Sequence, residues 1–466
     1  MVHVPDENPF RPAPSFAQSV GPAAGDGDHD GAPGGFSRRR FLALAGGMGA
    51  VGALGVTLGP RAWDSLLGGG TGSGGALGSS TGRTLVLLTL YGGNDGMNTV
   101  IPYQDPAYAI YRGQLAVKGS TVLPLGEGFG LHPALTGFKK LWDAKQLAIV
   151  QGVGFANPNY SHFESMDIWQ SGVPDTPVSS GWLGRWLDGT RASPLRAMGI
   201  GPTLPTALTG EKVQGAAVPP GTFVLPGDPT EQALYASMAR SGSAETGLLA
   251  EAMVANSNLL DVQRTIGPTL NRTVNSDPLH LHSADANSLS GGSQAALAIA
   301  NGGGGLSSAN VLATQLSMVA NLILAGTETE VYSVELGGFD THSAQTNTQT
   351  TLLGQVDAAV PAFLDAISTH PRGKGAVVVI YTEFGRRVWA NASEGTDHGW
   401  ANVVFAAGQP VRGGFYGDPP SLSKLSEGNL IYTTDFRSVY ATVFDNVLGV
   451  DPKPFLNGSF KTMSFV

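Results

Sequence analysis

Two uninterrupted apolar runs, Thr84–Leu90 and Ala376–Tyr381, constrain this chain more than any other feature in it. A strand with one wet face alternates apolar and polar residues. A run without alternation must be covered on both faces, which is the habit of parallel sheets packed between helices. Leu147–Val150, Glu330–Glu335 and Val403–Ala406 are further strand candidates. Between these runs, apolar residues return at helical spacing. Leu135, Phe138, Leu141 and Trp142 mark a helix from Pro133, and a second spans Ser307 to Ala325, closed by Gly326. Leu352, Leu353, Val356, Val360, Phe363, Leu364 and Ile367 mark a third, in which Pro361 predicts a kink. A last helix, Asp435 to Leu448, is expected to open on Thr434 as N-cap and to close at Gly449. Alternating strands and helices give an α/β class: a three-layer α/β/α domain around a mostly parallel sheet.

The fold begins late in the chain. Residues 1–36 are rich in Pro, Gly and Asp without apolar periodicity, the composition of a disordered segment. Residues 37–60 read as a twin-arginine export signal: Ser37-Arg38-Arg39-Arg40-Phe41-Leu42, then an uncharged stretch to Gly59. That stretch is close to the minimum for a membrane span, so a retained anchor is the alternative, and only an uncleaved signal would bring the chain to a membrane. Residues 61–82, glycine- and serine-rich from 67, form a linker. The domain then runs from 83 to 466, about 380 residues, more than a single core needs. Its stretch 231–305 turns Ala-, Ser-, Asn- and Gly-rich, with helical segments such as Thr246–Val262. It is expected to be a helical cap insertion or, alternatively, a partly disordered surface insertion.

Export through this route implies the twin-arginine translocase as partner and an extracytoplasmic location: periplasmic, cell-wall-associated or secreted. The chain has no cysteine, which removes disulfides and lipoprotein anchoring and suits cargo that crosses the membrane folded. A formal charge of −9 argues against nucleic acid as partner.

In open parallel sheets, ligands collect beyond the carboxyl ends of the strands. Here those ends carry Gly92-Gly93-Asn94-Asp95-Gly96, Tyr160-Ser161-His162-Phe163-Glu164, Gly337-Gly338-Phe339-Asp340-Thr341-His342 and Thr382-Glu383-Phe384-Gly385-Arg386, with Gly395-Thr396-Asp397-His398-Gly399 shortly after. Each cluster alone reads as a turn, a cap or a structural histidine. Their recurrence at equivalent positions points to one joint site. Carboxylate and imidazole donors without thiolate suit a divalent ion, zinc first, with manganese, magnesium or calcium as alternatives. One or two such ions could activate a water or hydroxyl against a phosphoryl or sulfuryl group, with Arg386 contacting substrate oxyanions.

The ordered set GGNDGMNTVIPY, NYSHFESMDIWQSG, GGFDTH, TEFGRRV, GTDHGW and TDFRSVY strongly resembles the exported bacterial family called domain of unknown function 1501, over residues 84 to 450. That family is similar to a branch of the alkaline phosphatase and sulfatase superfamily. The resemblance implies an alkaline-phosphatase-like sheet and a two-metal site at the strand ends. By motif, Asp95 resembles the first-strand metal ligand, Asp397 and His398 the late pair sharing its ion, and Asp340 with His342 the ligands of the other ion. Two departures stand out: the middle motif is Asp-Thr-His rather than Asp, three residues, His, and the nearest nucleophile candidate is Ser161. His162 could be a ligand or a general base, and His132 or His162 could be the third histidine.

The expected function is therefore an exported metal-dependent hydrolase of phosphate or sulfate esters, with a small-molecule or polymer ester as substrate. The competing readings are a catalytically silent binding or assembly protein and a purely structural metal site.

Overall fold

The computed structural model describes residues 82–466 except 177, 192, 221–227, 239–258, 271–278 and 280–309. The segments expected to be a disordered leader, a twin-arginine signal and, up to 81, a linker lie outside the described residues, as does most of the 231–305 stretch. Of that insertion, the end of helix Pro229–Met238 and a helical stretch at 259–270 are described. No helix among the described residues is long and apolar enough to cross a membrane.

Nine strands form the central sheet: β1 Thr84–Leu90, β2 Leu147–Gly154, β3 Ala197–Ile200, β4 Ala216–Val218, β5 Val331–Leu336, β6 Ala376–Tyr381, β7 Asn402–Ala407, β8 Gly414–Tyr416 and β9 Thr434–Asp435. Their order is β8-β2-β7-β6-β1-β5-β3-β4, with β9 also pairing β2. All pairings are parallel except those of β7, which runs antiparallel to both β2 and β6. That reversal matters for the site: the amino end of β7 lies at the edge where the other strands present their carboxyl ends.

The apolar run of β1 is buried along its whole length because the pleat divides it between two cores. Val86, Leu88 and Leu90 join one core, built with helices α2 Thr136–Asp143, α5 Val311–Leu324 and α6 Gln345–Ala366. Leu85 and Leu87 join the other, with α3 His162–Ser171, α4 Trp182–Gly189 and α7 Phe436–Thr442. A short helix α1, Gly96–Thr99, follows β1. The class is thus the expected α/β/α with a largely parallel sheet. Asp357 of α6 accepts from the backbone N–H groups of Gly137 and Phe138 at the start of α2, at 2.9 and 2.8 Å, tying two helices of one layer together.

The structure corrects several boundaries. The final helix is capped by Asp435, not Thr434: the Asp435 carboxylate accepts from Arg437 N, while Thr434 pairs with Val153 of β2. Its second half, Val443–Leu448, is a π-helix closed by Gly449 at φ 68°. The helix expected from Pro133 starts at Thr136, and the helix around Pro361 is one element of 22 residues. The helix expected from Ser307 is described from Val311.

Candidate metal centre

Four loops meet at the carboxyl edge, and Arg386 fastens them. Its guanidinium donates to the backbone carbonyls of Gly92, of Gly93 at 2.7 Å, of Phe339 at 3.0 Å and of Thr396 at 2.8 Å, and to Asp340 Oδ1 at 2.7 Å. Backbone approach is close here: a Cβ on Gly92, at φ 115°, would lie 2.4 Å from Asp340 N. The stretch after β6 pairs with the stretch before β7, through Arg387 N to Asp397 O at 2.9 Å and Gly399 N to Gly385 O at 2.8 Å. This hairpin carries His398 to the same edge as Asp340.

Three imidazoles surround Asp340, each held by an oxygen on its Nδ1. The His162 Nδ1–H donates to Glu383 Oε1 at 2.8 Å, the His342 Nδ1–H to Asp397 Oδ1 at 3.2 Å, and the His398 Nδ1–H to the Tyr160 carbonyl at 2.7 Å. A carbonyl only accepts, so the His398 proton sits on Nδ1 and its Nε2 keeps a lone pair. The same tautomer follows for the other two rings from their carboxylate partners. The three Nε2 atoms turn inward. Those of His342 and His398 each lie 3.1 Å from Asp340 Oδ1 and 2.9 Å from one another. The His162 Nε2 lies 3.4 Å from Asp340 Oδ2 and is buried with no hydrogen-bond partner among the described residues. Donor atoms of His162, Asp340 and His398 all fall within 4.8 Å of one another.

Lone pairs facing each other across so short a gap require a shared cation, proton or metal. The electrostatics say the same. Asp340, then Glu383, push the His162 imidazole up to about 9. Burial would raise the Asp340 carboxyl, but His162, His398 and Arg386 together hold it well below the usual carboxylate range. Burial likewise works against the ionised Asp397, and bonds from Asn391 and His342 outweigh it. Imidazoles oriented by carboxylates or carbonyls are the common dressing of a metal site, so the donor set fits a divalent ion. The Phe384 ring packs on His162 and His398 at centroid distances of 4.9 and 4.5 Å. Gly93, at φ 69°, leaves room for that ring: a Cβ there would come within 2.3 Å of it.

Of the residues picked from the sequence, His162, Asp340, His342 and His398 come together, and Asp397 stands behind His342. Asp95 does not join them. It caps α1, accepting from Met97 N and Asn98 N, and its remaining acceptor positions are taken by Arg112 at 2.6 Å and Gln345 at 2.6 Å. Ser161 is the N-cap of α3, its hydroxyl accepting from Glu164 N, which does not suit an attacking nucleophile. Arg386 spends its donors on the protein instead of a substrate oxyanion. Glu383, given no role on sequence grounds, is the orienting group the sequence reading passed over; its position just beyond β6 was the available signal.

His132 does not join the group formed by His162, Asp340 and His398. Its side chain is almost fully buried and its Nδ1 accepts from Ala134 N at 3.1 Å. Burial lowers it from 6.5 to about 4 against the pull of Asp95. An unfolded chain takes up this proton near pH 6.5 and the folded chain only near 4. The stability contribution is therefore whole above pH 6.5 and is lost as pH falls to 4, on the order of 3 kcal/mol. Urea unfolding of a His132→Gln variant should show a correspondingly shallower fall across that window. An unchanged slope would acquit His132.

The family model described as "Protein of unknown function (DUF1501)" matches residues 283–459. No curated protein matches the chain. Among solved structures, it is similar to a protein in the alkaline phosphatase superfamily from Vibrio parahaemolyticus, at 10% identity and TM-score 0.34, covering 80% of this chain and 68% of that one. It is also similar to the PsFucS1 sulfatase from Pseudoalteromonas sp., at 10% identity and TM-score 0.34 over 82% and 70% of the two chains. A third is BT1596, a 2-O GAG sulfatase, at 11% identity and TM-score 0.29 over 71% and 65%.

Proposed function

We propose that the chain holds one divalent metal ion on His162, Asp340, His342 and His398 and hydrolyses a phosphate or sulfate ester outside the cytoplasm. The observation that carries this reading is the inward turn of three Nε2 atoms on one carboxylate, each ring locked from behind. A single ion replaces the two-ion arrangement, because Asp95 is committed to Arg112 and to the cap of α1. When bound, such an ion polarises a phosphoryl or sulfuryl oxygen and acidifies water. The chain's own part is positional. Glu383, Asp397 and the Tyr160 carbonyl fix the rings, and Arg386 keeps Asp340 ionised and the loops in register. Substrate enters from the Asp340, His342 and Asp397 side, where the side chains are 46%, 44% and 55% exposed. Water is the attacking group, since Ser161 caps α3.

A second reading, a silent binding protein on the same scaffold, is favoured by one observation: the protein itself consumes the donors of Arg386, which takes that side chain away from an ester oxyanion. The two are separated by metal analysis of the untagged chain after reconstitution with zinc, manganese, magnesium or calcium, followed by assays on aryl phosphates and aryl sulfates. Close to one equivalent of ion, with chelator-sensitive turnover, is expected. No stoichiometric ion would end the hydrolase reading, and a bound ion without turnover on any ester would leave the binding protein.

A further inference from the structure

Away from the cluster, β2 carries an extra residue. Between the pairs Val404↔Val150 and Asn402↔Val153, β7 advances by two positions and β2 by three. Gln151 and Gly152 thus form a bulge, with Gly152 at φ 61°. A bulge re-aims a side chain that the pleat would otherwise fix. Gln151 here lines a cleft of about 430 Å3, counting the part open to solvent, set between α1, the start of β7 and the loop bearing Leu422 and Leu430. Gln151 is 4% exposed and lines this cleft, and its carboxamide makes no hydrogen bond among the described residues. The other amide in the wall, Asn402, is committed: it donates to the Asn94 and Phe384 carbonyls and accepts from Val403 N.

A carboxamide that lines a cleft with donor and acceptor unused by the protein is a good recognition group. The rest of the wall includes Met97, Phe129, Leu422 and Leu430, and no lining residue is charged. An ion would find no counter-charge there. We infer that this cleft is a second binding site, taking a small neutral molecule whose amide group pairs with Gln151 while its apolar part lies against Met97, Phe129, Leu422 and Leu430. The cleft shares no lining residue with the metal cluster, and the inference does not depend on the hydrolase reading.

The test uses hexanamide as probe and the full chain as it is, followed by ligand-observed saturation-transfer NMR with competition titrations. Saturable hexanamide binding is expected, with hexanoate, the charged counterpart, at least tenfold weaker. Gln151→Met, which keeps the length of the side chain and removes its polar group, should weaken hexanamide about tenfold, one hydrogen-bonded group's worth. It should also melt close to wild type, because no hydrogen bond within the described residues is removed. Two results on the wild-type chain overturn the inference: no saturable hexanamide binding, in which case ordered water is the partner of Gln151, or equal binding of hexanamide and hexanoate. The wild-type comparison stands whether or not the variant folds. A folded Gln151→Met chain that binds hexanamide undiminished would likewise overturn it.

Discussion

Arg112→Met should lower the folding stability of this protein by about 3–5 kcal/mol, the cost of leaving a buried charge without its partner. Arg112 is wholly buried; its Nη2 lies 2.6 Å from Asp95 Oδ1 and its Nη1 donates to the Arg387 carbonyl at 2.9 Å. Asp95 is 1% exposed. Without the guanidinium, that carboxylate keeps only neutral donors, the N–H groups of Met97 and Asn98 and the amide of Gln345. The double variant Arg112→Met with Asp95→Asn should recover part of the loss, since it removes both charges, and a double-mutant cycle in urea reads the coupling directly. A cost below about 1 kcal/mol would mean water reaches the pair. The same variants decide what Asp95 is for. Asp95→Asn should retain metal at the wild-type level, whereas a metal-ligating Asp95 would lose it.

Glu383→Gln should weaken metal binding 10- to 100-fold, the usual effect of removing a carboxylate behind a ligating histidine. Glu383 is 1% exposed and accepts from the His162 ring at 2.8 Å, from Gly92 N at 2.8 Å and from the Thr382 hydroxyl at 2.8 Å. Glutamine preserves the shape and one acceptor oxygen, so the expected loss comes from the missing charge that keeps the His162 Nδ1 protonated and its Nε2 electron-rich. Competition with a chromophoric chelator at fixed pH measures it, with His162→Ala as the more damaging reference. If Glu383→Gln binds as tightly as wild type while His162→Ala does not, the orienting role is wrong.

The sheet was legible where both faces of a strand are buried, because burial then writes a continuous apolar run. Thr84–Leu90 and Ala376–Tyr381 are the clear cases, and both strands have those limits. It was illegible at β3 and β4, AMGI and AAV in sequence, too short and too small-sided to stand out against loops of similar composition. The direction of β7 was also hidden, since a buried strand carries the same residues whichever way it runs. His342 and His398 could be placed at the carboxyl edge because clusters of carboxylate and imidazole recur there in the sequence, where ligands of open α/β sheets gather. Ser161 was misread although its role was written nearby: Ser161-His162-Phe163-Glu164 has the spacing of a capping box. Arg386 and Asp95 were misread for a different reason. Which of its possible partners a charge meets depends on loops far away in sequence, and no local pattern records that.

The reversed strand β7 has one more consequence. Because His398 reaches its place only through a hairpin between β6 and β7, while His162 follows β2 and His342 follows β5, the three imidazoles have no proximity in an unfolded chain. An extended polypeptide offers an ion one imidazole at a time, so selection of the ion waits until the sheet has closed. Under the export route that the leader predicts, closure happens before translocation. If the chain takes that route, the compartment that chooses the ion would be the one in which the chain is made.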